Sequence, residues 1–145
     1  MNIPASLTAP APLPDPGEPN DDIAQVKPGQ LFELGESPLT TTTKPNGRIG
    51  ATLDAAEDPR DVYRIWVPAH KIVRVAVTAG GRAAARIWGP QTVSVTSESN
   101  AERRRDLRGQ SIQALKKGFA AYVEVLLTGR STDASYVLTV KAAKR

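Results

Sequence analysis

From Arg48 to the C-terminus, apolar residues recur at every second position in short runs, and this period restricts the chain more than any other feature. In "DVYRIWV", Tyr63, Ile65 and Val67 share one face and Arg64 lies on the other. In "KIVRVAVTA", Val73, Val75 and Val77 alternate with Ile72, Arg74 and Ala76. "AAARIWG" sets Ala85 and Ile87 opposite Arg86 and Trp88. "RIGATLD", "TVSVTS", "SIQAL", "FAAYVEVLLTG" and "ASYVLTVKA" complete eight candidate strands, separated by Gly, Pro, Asn or Asp. Successive side chains of a strand point to opposite faces, so period two is the signature of a half-buried strand. No apolar stripe of helical spacing runs longer than two turns. Short strands at this spacing predict an all-β chain, a jelly-roll-like antiparallel β-sandwich of about eight strands. "VPAHK" and "TAGGR" fit hairpin connections, with Gly80-Gly81 supplying positive φ.

The 45 or so residues before this pattern are different. Residues 1–17 are proline-rich with small residues between, and read as an extended linker. The sandwich is expected to occupy residues 18–145. "QLFEL" reads as a short strand or a turn, and "TTTTKPNG" as a loop. About 100 residues of strand-bearing chain suffice for one core without staples. With no cysteine among 145 residues, disulfides, thiolate catalysis and cysteine-held zinc are all excluded. No apolar run approaches the ~18–20 residues that span a bilayer. "MNIPASLTAPAPLP" lacks the basic and apolar regions of a signal peptide, so either the protein stays inside or this chain is a piece of a longer exported one.

Formal net charge is +4, with the excess in "AERRRDLR" and in the tail "KAAKR". These read as a solvated loop and a frayed terminus. No aromatic residues interleave with the arginines, so a base-stacking platform is missing and nucleic acid is not expected as a partner. The single histidine, His70, lies between two strands with no glycine-flanked serine elbow elsewhere, which excludes a serine-hydrolase triad. There is no phosphate loop and no dinucleotide fingerprint. Trp66 and Trp88 are the candidates for a sugar platform if both prove exposed.

Acidic residues concentrate in "GEPNDD" and "DAAEDPRDVY". Calcium takes six to eight hard oxygen ligands. Glu18, Asn20, Asp21 and Asp22 offer local ones, and Asp58 and Asp61 add more if the two segments meet. Read from the residues alone, the first cluster fits an Asx-turn or a helix cap better than a metal site.

"EPNDD", "DPRDVYRIWVPAHKIVRVAVTA", "ARIWGP", "KGFAAYVEVLLT" and "ASYVLTV" together resemble, in order, the bacterial pre-peptidase C-terminal domain. The modules trailing subtilisin-like serine peptidases of actinobacteria are the most similar kind. The resemblance covers Glu18 to about Val140. It implies a non-catalytic accessory domain of a secreted or cell-surface peptidase, assisting localisation, stability or binding of a substrate or surface. The implied partners are the parent peptidase domain and an extracellular protein or polysaccharide, with the module itself a monomer. It also implies calcium as a cofactor, held by Glu18, Asn20, Asp21, Asp58 and Asp61. The family pattern D-x-D before the tyrosine is here Asp58-Pro59-Arg60-Asp61. The alternative is a carbohydrate- or protein-binding β-sandwich module unrelated to proteolysis.

Overall fold

The computed structural model describes residues 18–28, 38–96, 103–104 and 111–145. One short helix, α1 (Ile23–Val26), precedes eight strands: β1 (Gly47–Asp54), β2 (Arg60–Val67), β3 (Lys71–Thr78), β4 (Ala83–Trp88), β5 (Arg103–Arg104), β6 (Ser111–Gln113), β7 (Phe119–Leu127) and β8 (Asp133–Lys144). They form two four-stranded sheets, ordered β1-β8-β3-β6 and β2-β7-β4-β5. The pairings are antiparallel. The chain therefore changes sheet at almost every connection, as a jelly-roll-like sandwich requires. No helix among the described residues is long and apolar enough to cross a membrane.

That topology corrects two expected hairpins. β2 and β3, joined by Pro68–His70, lie in different sheets, as do β3 and β4, joined by Ala79–Arg82. Both turns arch over the end of the core and pair no strands. The expected backbone geometry is present, with Gly80 at φ 60° and Gly81 at φ 82°. His70 also adopts positive φ, is exposed, and donates its N–H to Leu115 O at 2.8 Å.

Two further expectations fail for physical reasons. "TVSVTS" forms no strand over residues 92–96, and Ser97 lies outside the described residues. Its donors turn to a carboxylate described below instead of a neighbouring strand. The tail "KAAKR" is not frayed, because β3 offers it a partner: β8 runs to Lys144, which pairs with Lys71. In "AERRRDLR", Arg103 and Arg104 pair with Trp88 and Ile87 as β5. The rest of that segment, the proline-rich stretch 1–17 and "QLFEL" lie outside the described residues.

The core is the interleaf between the two sheets. Tyr63, Ile65, Val67, Val73, Val75, Val123, Val125, Leu138 and Val140 are among its buried members. They alternate with outward residues as period two demands, so one face of each strand supplies the core. A second, smaller cluster lies on the outer face of the β2-β7-β4-β5 sheet. There Ile23 and Val26 of α1 pack with Val62, Trp88, Tyr122 and Val95. This sheet is thus covered on both sides near α1, which explains why β2 and β7 are buried at consecutive positions.

Candidate cation site at the N-terminal junction

The N-terminal segment runs along the edge of β2 and satisfies its backbone. The Val62 N–H donates to Asn20 O at 2.6 Å, and the Leu39 N–H donates to Arg64 O at 2.8 Å. The Trp66 N–H donates to Thr40 Oγ1 at 2.5 Å. An open strand edge invites pairing with another chain, and here it is closed from within. This lining also carries "EPNDD" against "DPRD", so the two acidic segments meet although about 40 residues separate them.

Asp22 is the N-cap of α1, in a capping box with Gln25. Its carboxylate accepts from the Ile23 N–H at 2.7 Å. It also accepts from Ser94 Oγ at 2.7 Å, the Val95 N–H at 2.9 Å and Thr96 Oγ1 at 2.8 Å. Burial pushes its pKa up, but the hydrogen bonds from Ser94, Val95, Thr96 and Ile23 outweigh that and hold it below the ordinary aspartate value. Asp22 therefore fastens "SVT" to the helix. The capping role read from the sequence belongs to this residue.

The five residues proposed as calcium ligands divide into two layers. Carboxylate oxygens of Glu18, Asp21 and Asp58 lie within 4.8 Å of one another. Asn20 and Asp61 sit behind them, each with no solvent exposure. Asp61 lies on the same inward face of β2 as Tyr63 and Ile65. Its Oδ2 accepts a short hydrogen bond from the Tyr136 hydroxyl, which is 2.6 Å from the Tyr63 hydroxyl. Burial first, then Glu18 and Asp58, and against the opposing bond from Tyr136, raise the Asp61 pKa to about 9. Burial, then the Asp61 and Tyr63 neighbours, push the Tyr136 hydroxyl upward as well.

Asn20 links the two layers. With its amide nitrogen toward the carboxylates, Nδ2 donates to Asp61 Oδ1 at 2.9 Å and to Glu18 Oε1 and Oε2 at 2.9 and 3.1 Å. With Oδ1 in that position, acceptors alone would face one another, and a cation would be needed among them. The Oδ1 atoms of Asp21 and Asp58 are buried without a hydrogen-bond donor. Calcium–oxygen bonds of ~2.3–2.6 Å place any two ligands of one ion within about 5 Å. The donor set, its spacing and the orphaned oxygens all fit a hard divalent cation. Glu18, Asp21 and Asp58 would hold it, and it would neutralise carboxylates that otherwise repel.

On the far side of β7, Glu124 is buried and accepts from Trp88 Nε1 at 3.1 Å and from Arg60 Nη1 at 3.1 Å. Trp88 is therefore a core residue, and Trp66 is half-buried beside Gly118, where a Cβ would lie 2.8 Å from its ring. The two tryptophans do not form an exposed platform. Sequence reasoning missed Asp22 as a fastener, Tyr136 as the Asp61 partner and Glu124 as a buried anchor. A signal existed for Asp61, because its parity with Tyr63 already placed it inward.

No protein-family profile and no curated protein matches the chain in sequence. Among solved structures, it is similar to the Aeromonas hydrophila PliG, a periplasmic inhibitor of g-type lysozyme. The TM-score is 0.51 and the identity 13%, over 68% of this chain and 86% of that one. The Salmonella Typhimurium PliG, also a periplasmic inhibitor of g-type lysozyme, gives a TM-score of 0.46 at 16% identity, over 72% and 96%. At such identity the first likeness establishes the β-sandwich fold alone.

Proposed function

We propose that this chain is a non-catalytic, protein-binding β-sandwich module that works outside the cytoplasm, with calcium fixing its N-terminal junction. The observation that carries the junction is the trio Glu18, Asp21 and Asp58, with two buried oxygens that lack donors. The protein-binding part draws support from the fold, because PliG, of similar architecture, is an inhibitor of another protein. A sugar-binding role loses its main candidate surface, since Trp88 lies in the core. The buried carboxyls Asp61 and Glu124 are engaged by tyrosine, tryptophan and arginine side chains, which suits structural duty better than proton transfer.

A narrower reading makes the module an accessory domain of a secreted peptidase. It is favoured by the ordered motifs of the pre-peptidase C-terminal pattern and by the meeting of "EPNDD" with "DPRD". Secretion or periplasmic location belongs to the same reading.

Two measurements test these proposals. Thermal melting in millimolar calcium and then in chelator is expected to raise and then lower the midpoint, because a ligand of the native state stabilises it. An unchanged midpoint would remove the metal. For binding, the immobilised module is exposed to a g-type lysozyme, a subtilisin-like peptidase and insoluble polysaccharide. Saturable retention of either protein is expected. Retention of polysaccharide alone would replace the protein-binding reading with a carbohydrate one.

A further inference from the structure

Among the described residues, the β1-β8-β3-β6 sheet is covered on one face only, by the core. On its other face Arg48, Arg74 and Lys141 are all exposed. Register brings them together: Arg74 is directly opposite Lys141, and Arg48 is opposite Thr139, two residues from Lys141 on the same strand. Neighbouring strands lie ~4.8 Å apart and alternate residues of a strand ~7 Å apart, so the three cations form one compact cluster. None of them makes an ion pair among the described residues.

Like charges placed directly opposite on adjacent strands weaken a sheet. Arg74 and Lys141 are such a pair, and no carboxylate of these strands lies near them. The acidic residues on this face are Asp54 and Asp133, opposite each other at the far end, where Asp133 pairs with Arg82. Asp54 lies six positions along β1 from Arg48, which is about 20 Å on a strand. The face is therefore cationic at one end and acidic at the other. A shallow groove of about 540 Å³ opens at the cationic end, lined by Lys44, Asn46, Arg48 and Lys141 among others. Asn46 holds the groove in place by accepting from the Ala142 N–H at 2.8 Å.

We infer that this cationic face docks an acidic segment of a partner protein, with glutamate or aspartate side chains entering between Arg48, Arg74 and Lys141. The inference rests on the protein-binding reading above and gives it a surface. Charge complementarity selects the partner, since opposite potentials steer association and fix register. Nucleic acid fits less well. The outward residues beside the cations, Ile72, Ala76, Thr139 and Ala143, offer no ring for a base to stack on. A compact cluster also suits a few carboxylates better than a long phosphate track.

The test is an amide-resolved NMR titration of the chain, in chelator, with a decaglutamate peptide. Shifts are expected at Arg48, Arg74, Thr139 and Lys141, with affinity falling about tenfold or more between low and high salt as the charges are screened. Arg74→Glu and Lys141→Glu are each expected to abolish the shifts. Either single variant places opposite charges across from one another, so its melting midpoint should hold or rise. That separates a lost surface from a lost fold. Shifts located elsewhere, or binding unchanged in both variants, would overturn the inference. Tighter binding of a deoxythymidine decamer at the same residues would overturn it in favour of nucleic acid. If a chain carrying both Arg74→Glu and Lys141→Glu still retains the lysozyme or peptidase that the wild type retains, this face is refuted while the protein-binding reading stands.

Discussion

Asp61 is a carboxyl group held away from water, with no solvent exposure. Its pKa of about 9 when folded, against an ordinary aspartate value of 3.8, means that the native state holds a proton the unfolded chain has released. Its contribution to stability is therefore fully present below about pH 4 and is lost as pH rises toward 9. In chelator, the melting midpoint of the wild type is expected to fall relative to that of Asp61→Asn between pH 5 and pH 9. Parallel profiles would show that Asp61 does not titrate in this range. Asp22 behaves oppositely, because its carboxylate is stabilised as the ion. Removing it leaves Ser94, Val95 and Thr96 without their acceptor and α1 without its cap. Asp22→Ala should cost about 1–3 kcal/mol by urea unfolding. The parity of β2 made the inward direction of Asp61 legible in the sequence. The role of Asp22 was half legible: its place before "IAQV" announces a cap, but its bonds to residues 94–96 join segments about 70 positions apart.

At the scale of the element, the edge of β2 carries the lesson. The strand was readable from its alternation, but its place in the sheet was not. Thr40 came from a threonine-rich stretch that reads as a loop. It is 1% exposed, and its hydroxyl takes the Trp66 N–H. Thr40→Val keeps the shape but strands a backbone donor, so a loss of about 1–3 kcal/mol is expected. A smaller loss in chemical denaturation would mean that water reaches the Trp66 N–H. β5 was hidden for a related reason. The composition of "AERRRDLR" signals a solvated loop, and pairing to β4 is a backbone event that side-chain pattern does not report. β8 ran past its expected end because β3 extends far enough to pair with it through Lys144.

At the scale of the whole molecule, two sheets close on one core, with a second small core beneath α1. Leu138 lies at the centre of the interleaf with no exposure. Leu138→Ala should destabilise the sandwich by about 2–5 kcal/mol, read as a lower denaturant midpoint with unchanged slope. On the proposed junction site, added calcium is expected to raise the midpoint of this variant too, because a ligand of the native state alone stabilises it. Calcium-dependence in the wild type and none in the variant would show that the core substitution has undone the junction.

By itself the sequence determined most of the strand-forming segments, the inward faces, the lack of thiol chemistry and the two acidic segments worth watching. These follow from local alternation and residue inventory, which need no partner to be recognised. Only the tertiary structure decided which strands share a sheet, that the expected hairpins are arches between sheets, and that Glu18, Asp21 and Asp58 converge. It alone brought Arg48, Arg74 and Lys141 onto one face. Those outcomes depend on strand order and register, which arise from burying both sheets against each other and are not encoded in any single segment.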